Sequence, residues 1–421
     1  MLLLFLETNA CTSPYVFDRY ITDEDTNSVK VLNNAYLHVE FQAHVRFFFL
    51  KPDHIHQNLQ DDGPLGSLEA IVTSDVIKFG NSSINEYYTP ILTPDRRVCG
   101  NMRFKLSQIS TNYSIASRKL VWEERPIFIG HRGLGSNKSG RRIMENSLTS
   151  YNLAMALTQA KLAGIELDVT MTADEKLVVY HDLHFPIKVG QNIREVAIPT
   201  LRYADLCRRK FERSGSDADI HIERPCILEE DCPLLETVLR KLRPLSAGIV
   251  IELKYPTNNT IRNCPDLGKF SREHLVKKVL DCLKTHQDNL RERWVILSSF
   301  DPDIVWMLSV ALAAESPDIT IVHNCWFGNE NELEDNTVDF SDSRNRSPKA
   351  AIGHCQKIRG GLALEATYIL SDGFSTQFTD APSLRLLSYG SGNLRMENIH
   401  AQFGIGAFFI DDIDIICNQT N

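Results

Sequence analysis

The chain changes texture near residue 118. Before it, apolar and polar positions alternate over short or aromatic-rich runs at 29–32, 35–50 and 102–106, interrupted by Asp, Gly and Pro clusters. A period of two predicts strands with one buried face, so residues 1–118 are expected to form a small β-rich, sandwich-like module. Residues 52–66 show neither strand nor helix period and read as an exposed loop. The apolar opening, Met1 to Leu6, meets Glu7 at once and lacks a basic leader. A first strand, or the truncated start of a longer chain, fits it better than a signal peptide.

From Pro126 onward, β-branched runs alternate with amphipathic stretches. Strands are predicted at 127–130, 164–169 (with 177–180 following), 248–253, 294–298, 319–323, 361–365, 384–388 and 407–410, and helices at 147–163, 234–242, 271–285, 302–314, 348–358 and 395–403. Eight strands with helices between them predict an α/β fold, a TIM-type (β/α)8 barrel over residues 119–421. Residues 186–233 are too long and polar for one connection and predict an insertion with a short helix near 203–211. Residues 368–382 lack a helical pattern, so the outer layer is expected to be incomplete there.

Composition narrows the function. The formal net charge of −9 disfavours a general binder of nucleic acid or anionic membrane, which needs a basic face. An anionic substrate would need a local cation. No run reaches the ~20 apolar residues of a membrane span, so no stable membrane insertion is expected. Ten cysteines occur without a CxxC pair, and Cys226 and Cys232 lack histidines at zinc-like spacing. They read as reduced thiols and small core residues. Sequons at Asn81, Asn112, Asn137, Asn258, Asn345 and Asn418 keep secretion as the minor alternative to a cytoplasmic protein.

Candidate chemistry gathers where barrel strands end, the face on which such folds carry their sites. The first strand runs into Gly130-His131-Arg132-Gly133. The second contains Glu166-Leu167-Asp168, whose carboxylates share one side of the strand. The third ends in Glu252-Leu253-Lys254, and Val178-Val179-Tyr180 leads into His181-Asp182. Three carboxylates converging at one mouth repel unless a cation lies among them, and an all-oxygen set suits one hard divalent ion, Mg²⁺ or Ca²⁺. Two imidazoles could transfer protons while Arg132 and Lys254 hold a phosphate.

Together with Glu145-Asn146-Ser147 and Leu297-Ser298-Ser299-Phe300-Asp301, these strings resemble the glycerophosphodiester phosphodiesterase family over residues 126–412. They are most similar to its eukaryotic intracellular glycerophosphocholine branch, whose members carry an N-terminal starch-binding-like module. The resemblance implies His131 and His181 as the acid/base pair and Glu166, Asp168 and Glu252 as metal ligands, with Arg132 and Lys254 on phosphate. It implies a small-molecule glycerophosphodiester as substrate and internal attack by a glycerol hydroxyl, giving a cyclic phosphate that water opens. Tyr389 stands where the family has Trp, and Ser391-Gly392-Asn393 departs from the usual turn. Carbohydrate binding by the first module finds no aromatic platform, since Trp122 sits at the module junction. Two rivals stay open. One is phospholipase D-like cleavage of lysophospholipids, with Phe185, Trp326 and Phe327 as an apolar rim. The other is a catalytically silent regulatory barrel.

Overall fold

A computed structural model of the chain describes six strands within residues 2–105 and, beyond them, residues 113–120, 126–136, 143–157, 162–189, 192–207, 228–312, 316–327, 336–340, 342–369, 384–390, 403–411 and 413, with short pairs at Glu212–Arg213 and Ile220–His221. The chain falls into two compact units, Met1–Ile109 and Ser110–Asn421.

In the first unit, Leu2–Thr8, Cys11–Phe17, Ala43–Phe49, Gly66–Val72, Glu86–Leu92 and Val98–Lys105 pair antiparallel in one sheet. The apolar opening is thus a strand. The run at 29–32, the loop expected through residue 65 and Trp122 lie outside the described residues.

The second unit contains a closed parallel barrel. Its strands are β1 (Ile127–Gly130), β2 (Leu162–Met171), β3 (Gly248–Leu253), β4 (Val295–Ser299), β5 (Thr320–Cys325), β6 (Gly361–Glu365), β7 (Arg385–Tyr389) and β8 (Ile405–Ile410). They pair in chain order, and closure is made where Ile410 aligns with Gly130. The connecting helices include α1 (Leu148–Leu157), α2 (Leu235–Lys241), α3 (Arg272–Thr285), α4 (Pro302–Leu312) and α5 (Pro348–Ile358). Their starts follow from the sequence. Ser271 and Ser347 accept hydrogen bonds from His274 N and Ala350 N, and Pro348 follows the second cap.

β2 runs longer than predicted because it continues into an antiparallel pairing with Leu177–Val179, which carries the chain to His181. The insertion opens with the hairpin His184–Val189/Asn192–Ala197, and the helix expected at 203–211 is a 3-10 turn over Tyr203–Cys207. After β6 the described residues form the four-residue helix Ala366–Ile369, capped by Glu365, and residues 370–383 lie outside the described residues. Most of the expected 395–403 helix lies outside the described residues.

The barrel floor is a single apolar layer. Ile129, Val250, Ile296, Val322, Ala363, Leu387, Ala407 and Phe409, one or two from most strands, meet there with Trp294 and with Leu120 from the segment preceding β1. Gly248 is required for this arrangement, since a Cβ there would overlap the Trp294 ring. Below the layer, the fully buried Arg293 donates to the carbonyls of Asn289, Pro244, Ala247 and Leu242 at 2.7–3.1 Å.

Candidate active site

Because strand side chains alternate, the residue two places beyond an inward-facing floor residue also faces inward, one layer higher. Ile129 leads to His131, Val250 to Glu252 and then Lys254, Ile296 to Ser298 and then Phe300, Val322 to Asn324, Ala363 to Glu365, Leu387 to Tyr389 and Phe409 to Asp411. The layer that is apolar below therefore becomes polar above. On β2 the same alternation puts Glu166 and Asp168 inward, with Asp168 in register with Glu252.

Glu166, Asp168 and Glu252 each offer a carboxylate oxygen within 4.8 Å of the others, and all three are buried. Burial, then the charge of Asp168, raises the Glu166 carboxyl above the usual range. Burial pushes Asp168 the same way, but Lys254, His181 and Arg132 and a bond from Asn146 outweigh it and hold this carboxyl well below the ordinary value. Lys254 Nζ lies 2.5 Å from Glu252 and 3.4 Å from Asp168, and Arg132 Nε lies 3.4 Å from Asp168. Both predicted phosphate contacts are thus brought to the carboxylate cluster.

The cluster fits a divalent cation. Glu166 Oε1 is buried without a hydrogen-bond donor, although Arg132 N–H donates to Oε2 at 2.9 Å. An acceptor left bare in an all-oxygen set is what a hard cation satisfies.

His131 stands on a tight turn. Arg132 has φ of 48° and Asn146 has φ of 58°, both in the left-handed region, and Asn146 N–H donates to Arg132 O at 3.0 Å. Such conformations persist where their surroundings fix them. Here Asn146 donates to Asp168 Oδ2 at 2.8 Å while its own oxygen accepts from Tyr151 OH at 2.8 Å and from Asp168 N–H, and Arg132 Nη1 donates to Glu145 at 3.1 Å. Gly135, with φ of 99°, packs where any Cβ would strike the backbone carbonyl of Asp411.

His131 Nδ1 donates to Asp411 Oδ1 at 2.8 Å, leaving Nε2 facing Glu166 Oε2 at 3.9 Å. Burial and Arg132 work against the imidazolium, but the charge and hydrogen bond of Asp411 together with the charge of Glu166 outweigh them and push the ring up to about 9. His181 Nδ1 donates to Asp182 at 2.7 Å. The two histidines are equally accessible, yet Asp182 is 39% exposed and Asp411 only 16%.

The far side of the mouth is aromatic. Phe300 lies 5.6 Å under Lys254 Nζ and meets Tyr389 edge-on at 5.9 Å, and Tyr389 OH donates to Cys325 O at 2.7 Å. Tyr389 thus braces β7 against β5. Phe185 is not part of a rim, because it is fully buried against Tyr180, whereas Phe327 packs against Tyr368 nearer the surface. The sequon at Asn345 is structural, its side chain being fully buried and bonded to His323 and to Asp339 O.

Every predicted site residue lies at this end of the barrel. Sequence reasoning missed Asp411 and also Asn324, which donates to Glu252 Oε2 at 3.1 Å. The two-residue step above Phe409 and Val322 was the signal for both.

The profile of the glycerophosphoryl diester phosphodiesterase family matches residues 131–343. A glycerophosphocholine phosphodiesterase homologue of Caenorhabditis elegans is 29% identical over 266 residues, covering 56% of this chain and 37% of its own length. A glycerophosphodiester phosphodiesterase of Arabidopsis thaliana is 26% identical over 314 residues, covering 69% of this chain and 76% of its own. Among solved structures, an Oleispira antarctica phosphodiesterase in complex with sn-glycerol-3-phosphate covers 70% of this chain and 96% of its own, at 18% identity and a TM-score of 0.46. The chain spans less than half the length of the Caenorhabditis relative. The match spans just over half of the sequence, and both histidines, both basic residues and all three clustered carboxylates lie within that span: the chain belongs to the glycerophosphoryl diester phosphodiesterase family.

Proposed function

We propose that the protein hydrolyses glycerophosphodiesters in a reaction dependent on one divalent cation, Mg²⁺ or Ca²⁺, with glycerophosphocholine giving glycerol 3-phosphate and choline. The carrying observation is the buried Glu166–Asp168–Glu252 cluster beneath His131 and His181, with a bare acceptor on Glu166. Family membership and the activities for which its relatives are named support the substrate class.

Glu166, Asp168 and Glu252 would hold the cation, which when bound supplies Lewis acidity and neutralises phosphate charge. Arg132 and Lys254 stand beside the cluster, where they add positive charge for the phosphoryl oxygens. One histidine takes the proton of the glycerol hydroxyl adjacent to the phosphate as that oxygen bonds to phosphorus. The other gives a proton to the departing choline oxygen as its P–O bond breaks. Water then opens the cyclic phosphate with the proton roles reversed. An attacking group already tethered to the phosphate gains from proximity, which is why the hydroxyl next to the phosphate must carry no acyl chain.

As part of the same proposal, residues 1–118 act as an accessory module, with carbohydrate as the ligand class to test. The free thiols at Cys232, Cys264, Cys282, Cys325 and Cys355 support a reducing compartment such as the cytoplasm. Among the described residues no helix is long and apolar enough to cross a membrane.

The test is ³¹P NMR of glycerophosphocholine incubated with purified protein, beside lysophosphatidylcholine. Conversion to glycerol 3-phosphate is expected, with a transient cyclic phosphate and an inert lysolipid. Phosphocholine as product, or cleavage of the lysolipid alone, would contradict the proposal.

A further inference from the structure

We infer that Asp411 is a positioning residue for catalysis, holding the His131 ring so that Nε2 is presented to the reacting groups. The inference rests on the reading of His131 as a proton-transfer group. Three donors converge on Asp411 Oδ1: His131 Nδ1 at 2.8 Å, Ser136 N–H at 2.9 Å and Ser136 Oγ–H at 2.8 Å. Ser136 fixes where that oxygen sits, and the oxygen fixes which nitrogen of the ring carries a proton. With Nδ1–H committed to Asp411, the nitrogen left for chemistry is Nε2, which faces Glu166.

The fold builds this contact from both sides of the barrel seam. Asp411 follows the last strand directly, and His131 follows the first. His131 N–H donates to Ile410 O at 3.1 Å, and Gly135 N–H returns to His131 O at 2.8 Å, so the turn from His131 to Ser136 wraps the carboxylate. Gly135 is the point of closest approach to Asp411. A carboxylate needed only for stability would not require three donors on one oxygen and a glycine-tight turn around it. The partner of His181, Asp182, is instead its own chain neighbour and considerably more exposed.

Two variants and one spectrum test the inference. Asp411→Ala removes the acceptor, and Asp411→Asn keeps an oxygen that Ser136 holds in the same place. In Asp411→Ala, kcat is expected to fall about 100-fold with KM within about threefold, and Asp411→Asn should recover at least about tenfold of that loss. Long-range ¹H–¹⁵N spectra of histidine-labelled protein, taken alkaline of the His131 titration and assigned with His131→Gln, should show the wild-type ring protonated at Nδ1. The Asp411→Ala ring should instead be protonated at Nε2, as free histidine favours. This readout needs no turnover, so it stands apart from whether glycerophosphocholine is the substrate. Should Asp411→Ala fail to fold, the wild-type spectrum still decides. A wild-type ring protonated at Nε2, an Asp411→Ala rate within about threefold of wild type, or an Asp411→Asn variant as impaired as Asp411→Ala would overturn the positioning role.

Discussion

The two ends of the barrel are built from the same strands, one register step apart, and they are chemical opposites. At the floor, Ile129, Val250, Val322, Leu387 and Phe409 form a packed apolar layer. Two residues higher, His131, Glu252, Asn324, Tyr389 and Asp411 face the mouth, joined by Glu166, Asp168 and Lys254. Each end also buries charge, on different terms. Arg293 at the floor is surrounded by four backbone carbonyls and, among the described residues, has no carboxylate hydrogen-bond partner. At the mouth, carboxylates crowd, and Glu166 Oε1 is left without a hydrogen-bond donor. Apolar layers hold the barrel shut, and the layer above carries unmet electrostatics that a ligand can meet. Sites of this kind are where local rules of stability are expected to be broken.

Substitutions at the mouth should silence the enzyme without loosening the fold. His131→Ala and His181→Ala are each expected to reduce turnover by at least about 100-fold, because each removes one of the two proposed proton-transfer partners. Thermal unfolding should stay within a few degrees of wild type, since both rings are partly accessible. A variant with near wild-type rate would remove that histidine from the mechanism.

Glu252→Gln weakens one proposed ligand of the cluster while leaving Asp168 and Glu166 in place. It should raise the Mg²⁺ or Ca²⁺ concentration needed for half-maximal rate by about tenfold or more before it changes the rate at saturation. An unchanged metal titration would count against Glu252 as a ligand.

The floor should show the reverse behaviour. Arg293→Met leaves four carbonyls without their donor in a buried setting, and the expected loss is about 3 kcal/mol of stability in urea unfolding. KM and kcat of the folded fraction should be unchanged. An altered KM would mean that the two ends are coupled.

The smallest effect concerns a buried histidine beneath the mouth. His323 is fully buried and donates from Nε2 to Asn345 Oδ1 at 2.9 Å. Burial lowers its pKa to about 4, against the pull of Asn345 and Asp301. The fold therefore favours the neutral ring. That contribution is complete above the unfolded value near 6.5 and fades as pH falls toward 4, by about 2 kcal/mol between pH 7 and pH 5. His323→Gln should flatten the dependence over this window, and an identical pH slope in the variant would assign the effect elsewhere.

The same register argument explains what could be read from the sequence. Glu166-Leu167-Asp168 and Glu252-Leu253-Lys254 announced themselves because alternation within three residues is a local property of a strand. Five connecting helices were visible in their periodicity, and α5 coincides with its predicted span. The same step places Asp411 above Phe409 but does not reveal its partner. Its role depends on β8 closing against β1, a contact between residues 280 positions apart, which no local pattern encodes. The same is true of Asn324, whose partner Glu252 lies two strands away around the barrel. Phe185 misled in the opposite direction. An aromatic residue in a polar insertion reads as exposed, but the hairpin beginning at His184 folds it under Tyr180.

The most direct test of the claim that the mouth is a metal-dependent site is calorimetric titration of Mg²⁺ and of Ca²⁺ into chelator-treated wild-type protein and into Asp168→Asn, alongside choline release from glycerophosphocholine. The account predicts that one ion binds per wild-type chain, that activity returns with its occupancy, and that both fail in the variant. Full activity in excess EDTA, or metal binding that survives in Asp168→Asn, would contradict it.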